Sequence, residues 1–322
     1  MKIVMSYKLL PASLYLCRSK FVIGNMLKFL KDWTLPIAMS VGIIGYPLFS
    51  KLGFLTPTLI FLMLLLTFCK VSFADLKPRP LHVWLLLIQL AGACGVYFLF
   101  RGFNEVLAQA AMVCVICPTA TSAVVITSKL GGSTASVTSY TLLANIGVAI
   151  VVPLLFPLIE SHPEVSFLQS CFIILSRVFV LLICPILLSW LLQRFMPKVH
   201  RVITGFRELA FYLWAFALTI VTAQIVSSLL NYSSDMLTAV LVAISVLVLC
   251  CLQFFLGKTI GSVYGDRIAG GQSLGQKNTI LGIWMAHTYL NPIAAIGPGF
   301  YVLWQNMVNS WQLWKKRGRD EK

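Results

Sequence analysis

Apolar runs long enough to cross a bilayer follow one another along almost the whole chain. About 20 such residues in α-helical form span a hydrocarbon core roughly 30 Å thick, with every backbone polar group satisfied inside the segment. Of 322 residues, 59% are hydrophobic and only 11% charged. The mean hydropathy is +0.89, and spanning helices are the one way to place so much apolar surface. We read ten spans, at roughly 33–50, 54–74, 81–100, 107–128, 134–159, 166–193, 208–230, 237–257, 268–289 and 291–312. The expected fold is an all-α membrane protein with a single transmembrane domain over 33–313. A cytoplasmic or interfacial segment, 1–32, precedes it, and a basic cytoplasmic tail, 314–322, follows.

The net charge of +15 is an orientation signal, not a nucleic-acid footprint. With the N-terminus inside, 21 of the 25 lysines and arginines fall in cytoplasmic segments. Outside loops keep Lys51 and Arg101, and two cations lie within spans, Arg177 and Lys277. This asymmetry follows the positive-inside rule and puts both termini in the cytoplasm. All ten acidic residues lie in loops or at span ends, which excludes proton relays built on buried carboxylates. Nine cysteines are scattered through apolar runs, including Cys114-x-x-Cys117 and Cys250–Cys251, and read as small packing residues. The segment before span 1 lacks a clean signal-peptide core and reads as an amphipathic lead-in, with Met26 as an alternative start.

Two spans are interrupted. Span 4 carries Pro118, which removes a backbone donor and clashes with the preceding turn. Thr119, Thr121 and Ser122 follow at once. Span 9 carries Gly270, Gly271 and Gly275, then Gln276, Lys277, Asn278 and Thr279 together. Each is the fourth helix of a five-helix half. Broken polar segments at matching positions point to a midplane transport site. An odd number of spans per half makes the repeat inverted, and Pro36 in span 1 answers Pro185 in span 6. Lys277 lies ten residues into span 9, roughly 15 Å at 1.5 Å per residue, or half the ~30 Å core. At that depth a lysine costs roughly 2.5–3.5 kcal/mol on insertion scales. Arg177, midway along span 6, is placed to reach a headgroup or a water cavity.

These features resemble the bile acid:sodium symporter family. CPTATSA, residues 117–123, is similar to that family's P-G-G-T-A-S-N in span 4. SLGQKNTILG, residues 273–282, is similar to its E-x-G-x-Q-N-x-x-L-x in span 9. QNMVNS, residues 305–310 and including Asn306, resembles the span 10 signature N-I-S-G-S, and IQLAG supplies the span 3 glutamine as Gln89. The resemblance implies crossing broken helices 4 and 9, a core of spans 3–5 and 8–10, and a panel of spans 1, 2, 6 and 7. It also implies alternating access, and two sodium ions at the crossing.

The departures fall on the ion ligands. Ser273 stands at the glutamate position, Lys277 at the glutamine position and Val124 at the span 4 asparagine position, with Ala123 before it. Gln89, Asn278, Thr121 and Ser136 or Thr138 remain as polar groups. An ammonium repels a sodium ion about 4 Å away by several kcal/mol at an effective dielectric near 20. Two roles stand open for Lys277: an internal cation in a vacated sodium site, or the counter-charge of an anionic solute. The expected function is secondary transport of an organic anion, a bile-acid-like or carboxylate solute, without sodium. A non-transporting sensor on the same fold is the alternative, as is a sodium-coupled symporter with a rearranged ion site. No enzyme, cofactor or metal centre is expected: there is no G-x-x-x-x-G-K-[ST] loop and the four histidines lack metal-ligand spacing. The expected partners are the solute and membrane lipid, not nucleic acid, and the compact loops suggest a bacterial inner membrane.

Overall fold

The computed structural model describes residues 33–71, 76–160, 165–206, 208–231 and 236–320. The segment 1–32 and the last two residues of the basic tail lie outside them. Among the described residues there is no β-strand, and an isolated bridge joins Thr119 to Lys277.

The chain opens with α1 (Thr34–Ile44) and α2 (Tyr46–Phe49), then a 3-10 stretch Ser50–Leu55 and α3 (Thr56–Phe68). Helices α4 (Pro80–Phe100), α5 (Glu105–Ile116), α6 (Ser122–Leu130) and α7 (Thr134–Ile159) follow. Next come α8 (Phe167–Leu182), α9 (Cys184–Phe195), α10 (Pro197–Gly205), α11 (Leu209–Asn231) and α12 (Met236–Val263). The chain closes with α13 (Arg267–Gly275), α14 (Thr279–Tyr289), a 3-10 turn Pro292–Ala295 and α15 (Ile296–Asp320).

Local chemistry sets the ends. Asn104 caps α5, its side chain accepting from Leu107 N at 2.9 Å. Ser166 and Gln169 form a capping box at α8. Gly131 closes α6 in the left-handed region, φ 81°, where a Cβ is unfavourable.

Among the described residues, six elements are long and apolar enough to cross a membrane: Tyr46–Phe68, Pro80–Phe100, Thr134–Ile159, Phe167–Phe195, Leu209–Asn231 and Met236–Val263. The protein is thus an all-α, membrane-embedded chain. The other predicted spans do not appear as long apolar helices, for distinct reasons. Spans 4 and 9 are each split into two short helices. Span 1 is an 11-residue helix, Thr34–Ile44. Span 10 runs on without a break past residue 313 into the basic stretch, so most of the predicted tail is helical.

Between α1 and α3 the chain does not keep advancing. Cβ atoms built at Gly42 would meet Thr219 and Thr222, and one at Gly53 would meet Gln224. Eleven residues of straight helix would separate these glycines by about 16 Å, yet both lie against one turn or so of α11. Helices α1 and α3 both pack on α11. Helices α12 and α13 meet more closely still. A Cβ at Gly257 would fall inside contact of the Gly270 carbonyl oxygen, and one at Gly270 would do the same to Gly257. Small residues bringing helix backbones together are the expected means of packing in lipid.

Candidate functional site

Helix α5 stops because Cys117, preceding Pro118, is extended at ψ 134°, as residues before proline prefer. Helix α13 stops at Gly275, and Gln276 is extended at ψ 107°. The two non-helical stretches, 117–121 and 276–278, cross and pair antiparallel. Ala120 N donates to Gln276 O at 3.0 Å and Asn278 N donates to Pro118 O at 2.9 Å. Both interrupted helices read from the sequence are present, and their interruptions satisfy each other's backbone groups.

Lys277 sits at this crossing with 1% of its surface exposed. Its Nζ donates to Val115 O at 2.8 Å. Val115 belongs to the last turn of α5, whose carbonyls have no helical donor ahead of them. The hydroxyls of Thr121 and Ser122 take no part in that bond. Ser122 instead accepts from Gln276 Nε2 at 3.0 Å, and Thr121 borders the adjoining cavity. The reason is geometric: Thr121 and Ser122 belong to the start of α6, on the far side of the break from the α5 carbonyls. The thiols of Cys114, Cys117 and Cys250 stand near the ammonium, and all three are free. No ion pair joins Lys277 to a carboxylate among the described residues.

The two carbonyls that follow are taken by a side-chain amide. Gln89 Nε2 donates to Ile116 O at 2.8 Å and to Cys117 O at 3.1 Å. Tyr140 OH fixes that amide by donating to Gln89 Oε1 at 2.7 Å. On the α13 side, Thr119 Oγ1 donates to Ser273 O at 2.5 Å and Tyr301 OH to Gly275 O at 2.8 Å. Gln305 clamps the Lys277 backbone: its Oε1 accepts from Lys277 N at 2.8 Å and its Nε2 donates to Lys277 O at 3.3 Å. Asn309 Nδ2 donates to Gln276 Oε1, and Gln272 Nε2 to Asn309 Oδ1 at 2.9 Å.

A cavity of about 370 Å³ borders the crossing. One wall carries Thr121, Ser122, Gln276, Lys277, Asn278, Thr279 and Asn306; the facing wall, from α3 and α11, carries Ile60, Met63, Phe211 and Trp214, with Lys70 beyond them. Helices α6 and α14 begin at this cavity, so their positive dipole ends face it, while the negative end of α5 meets Lys277.

Of the predicted site residues, Pro118, Thr119, Thr121, Ser122, Gln89, Ser273, Gln276, Lys277, Asn278, Thr279 and Asn306 thus gather at the crossing or its cavity. Ser136 and Thr138 do not. They sit in the first turns of α7, where Ser136 Oγ lies 3.0 Å from His82 Nε2 and Thr138 Oγ1 donates to Thr134 O at 2.8 Å. Sequence reasoning missed Tyr301, Gln305 and Asn309. Their spacing of four residues was the available signal, since it places them on one face of α15. Among the described residues no group of three or more histidine, cysteine or carboxylate side chains is arranged to hold a metal ion.

Fold and site together define a membrane-embedded helical protein with two crossed, interrupted helices beside a half-polar cavity. No family model matches the chain, and no curated protein matches it. Function is therefore inferred from the residues and their geometry.

Proposed function

We propose that the protein is a secondary transporter of an organic anion, working by alternating access and without sodium, on the fold of the bile acid:sodium symporters. The observation that carries this reading is the Lys277 ammonium, buried at the crossing and bonded to the open carbonyl end of α5. A tethered cation there does what a bound sodium ion would do. It neutralises the negative helix end and holds the two breaks together. Its charge also adds to the positive ends of α6 and α14, which favours an anion in the cavity. The apolar wall of Ile60, Met63, Phe211 and Trp214 suits a solute with a hydrophobic body.

In this reading the chain has ten spans in two inverted halves. Spans 3–5 and 8–10, the core, rock against spans 1, 2, 6 and 7. The charge asymmetry favours cytoplasmic termini, and the compact loops favour a bacterial inner membrane. Lys70 and the start of α11 then lie at the cytoplasmic side, so the cavity faces inward.

The test is uptake of a labelled bile acid and of a panel of carboxylates into proteoliposomes, in sodium, potassium or choline. Equal uptake in the three salts is expected, and Lys277→Gln is expected to abolish it. Steep sodium dependence in the native protein overturns the tethered-cation reading. Binding without uptake returns a sensor in place of a transporter.

A further inference from the structure

A second cavity, of about 630 Å³, lies between α3, α8 and α14, away from the crossing. It is lined by Phe61, Arg177, Val180, Leu181, Trp284 and Thr288, among others. Arg177 is ten residues into α8, about 15 Å along the helix, and its side chain is exposed on the surface that meets lipid. Among the described residues no carboxylate pairs with it, and none lines the cavity. The Tyr289 hydroxyl lies beside the guanidinium. That residue is 8% exposed and lies outside the lining of the cavity. Trp284 stacks edge-on against Tyr289 with centroids 5.5 Å apart.

An arginine facing hydrocarbon is costly unless an anion meets it. A guanidinium is built to hold a phosphate through paired N–H donors. Here it stands in a groove with apolar sides. We propose that this groove is a binding site for an anionic phospholipid. Its phosphate engages Arg177, and an acyl chain lies along Phe61, Val180 and Leu181. The groove opens on the half of the membrane where α3 and α8 begin, which the charge asymmetry makes the outer leaflet. The inference rests on membrane embedding and not on the transport reading.

Trp284 supplies the probe. The native protein and Trp284→Phe are reconstituted in phosphatidylcholine vesicles containing brominated phosphatidylglycerol or brominated phosphatidylcholine. Quenching that Trp284→Phe removes reports the groove. We expect brominated phosphatidylglycerol to quench this component at about tenfold lower mole fraction than brominated phosphatidylcholine, the size of one charge-assisted contact. Unlabelled phosphatidylglycerol should reverse the effect and phosphatidylcholine should not. Arg177→Gln should erase the preference while leaving quenching by the brominated phosphatidylcholine unchanged, and Arg177→Lys should keep part of it. Equal quenching by the two lipids in the native protein overturns the proposal, as does a preference that survives Arg177→Gln. If Arg177→Gln is misfolded, the native competition decides. Reversal by oleate at lower mole fraction than by phosphatidylglycerol would make the ligand a fatty-acid carboxylate and also overturn it.

Discussion

Gln305 holds the Lys277 backbone by two hydrogen bonds. Replacing it with leucine leaves the buried Lys277 N–H unpaired, while the Lys277 C=O keeps a donor in Thr279 N at 3.0 Å. A buried unpaired group costs about 1–3 kcal/mol. Gln305→Leu should therefore lower the midpoint of thermal unfolding in detergent by several degrees, while Asn306→Leu, one residue on at the cavity, should change it far less. Lys277→Met makes a related prediction. It keeps an apolar stem of similar length but deprives Val115 O of its donor, and about 1–3 kcal/mol of stability should go with it, read from the same melt. Much of this site could be seen in the residues alone. Pro118 and the glycines before Gln276 announce the two breaks, and Lys277 announces itself by its depth. Its acceptor could not be seen, because it is a backbone carbonyl 162 positions away and any residue type would present one.

At the scale of elements, the contact between α12 and α13 has no slack. Gly257 and Gly270 meet backbone to backbone, so a methyl group at either cannot be absorbed by a side chain swinging aside. Overpacking of this kind typically costs 1–3 kcal/mol, occasionally more. Gly270→Ala should give lower yield and a lower melting midpoint, whereas Gly95→Ala, in α4 with open space around it, should be neutral or slightly stabilising. Apolar runs made the uninterrupted helices plain from sequence. Helix α15 was harder to delimit, because its amphipathic continuation runs through Lys315 and Lys316 and past Gly318 to Asp320. Lys316 is anchored there by donating to Lys129 O at 3.0 Å, in the last turn of α6.

For the whole molecule, the arrangement of the cavity predicts one-sided access. Val125 in α6 lines it toward the side where Lys70 and Ala210 lie. Val125→Cys should react with a membrane-impermeant thiol reagent in inside-out vesicles and resist it in right-side-out vesicles, measured as the labelling added over the native protein. The opposite asymmetry would mean that the orientation drawn from the basic residues is reversed. Opposing walls from distant parts of the chain are also why Phe211 and Trp214 were not picked out as cavity residues. In a run as apolar as α11, no aromatic stands apart until the fold sets it against Gln276 and Lys277.

The bond between Lys277 and Val115 also sets an order of events during synthesis. The carbonyl end of α5 leaves the ribosome well before its ammonium partner. Until α13 and α14 are made, the stretch around Pro118 waits in the membrane with backbone groups that nothing nearby can satisfy. The N-terminal half is therefore an unfinished product, and chains that end before residue 267 should be recognised and degraded by membrane proteases, while chains that reach the end of α15 persist.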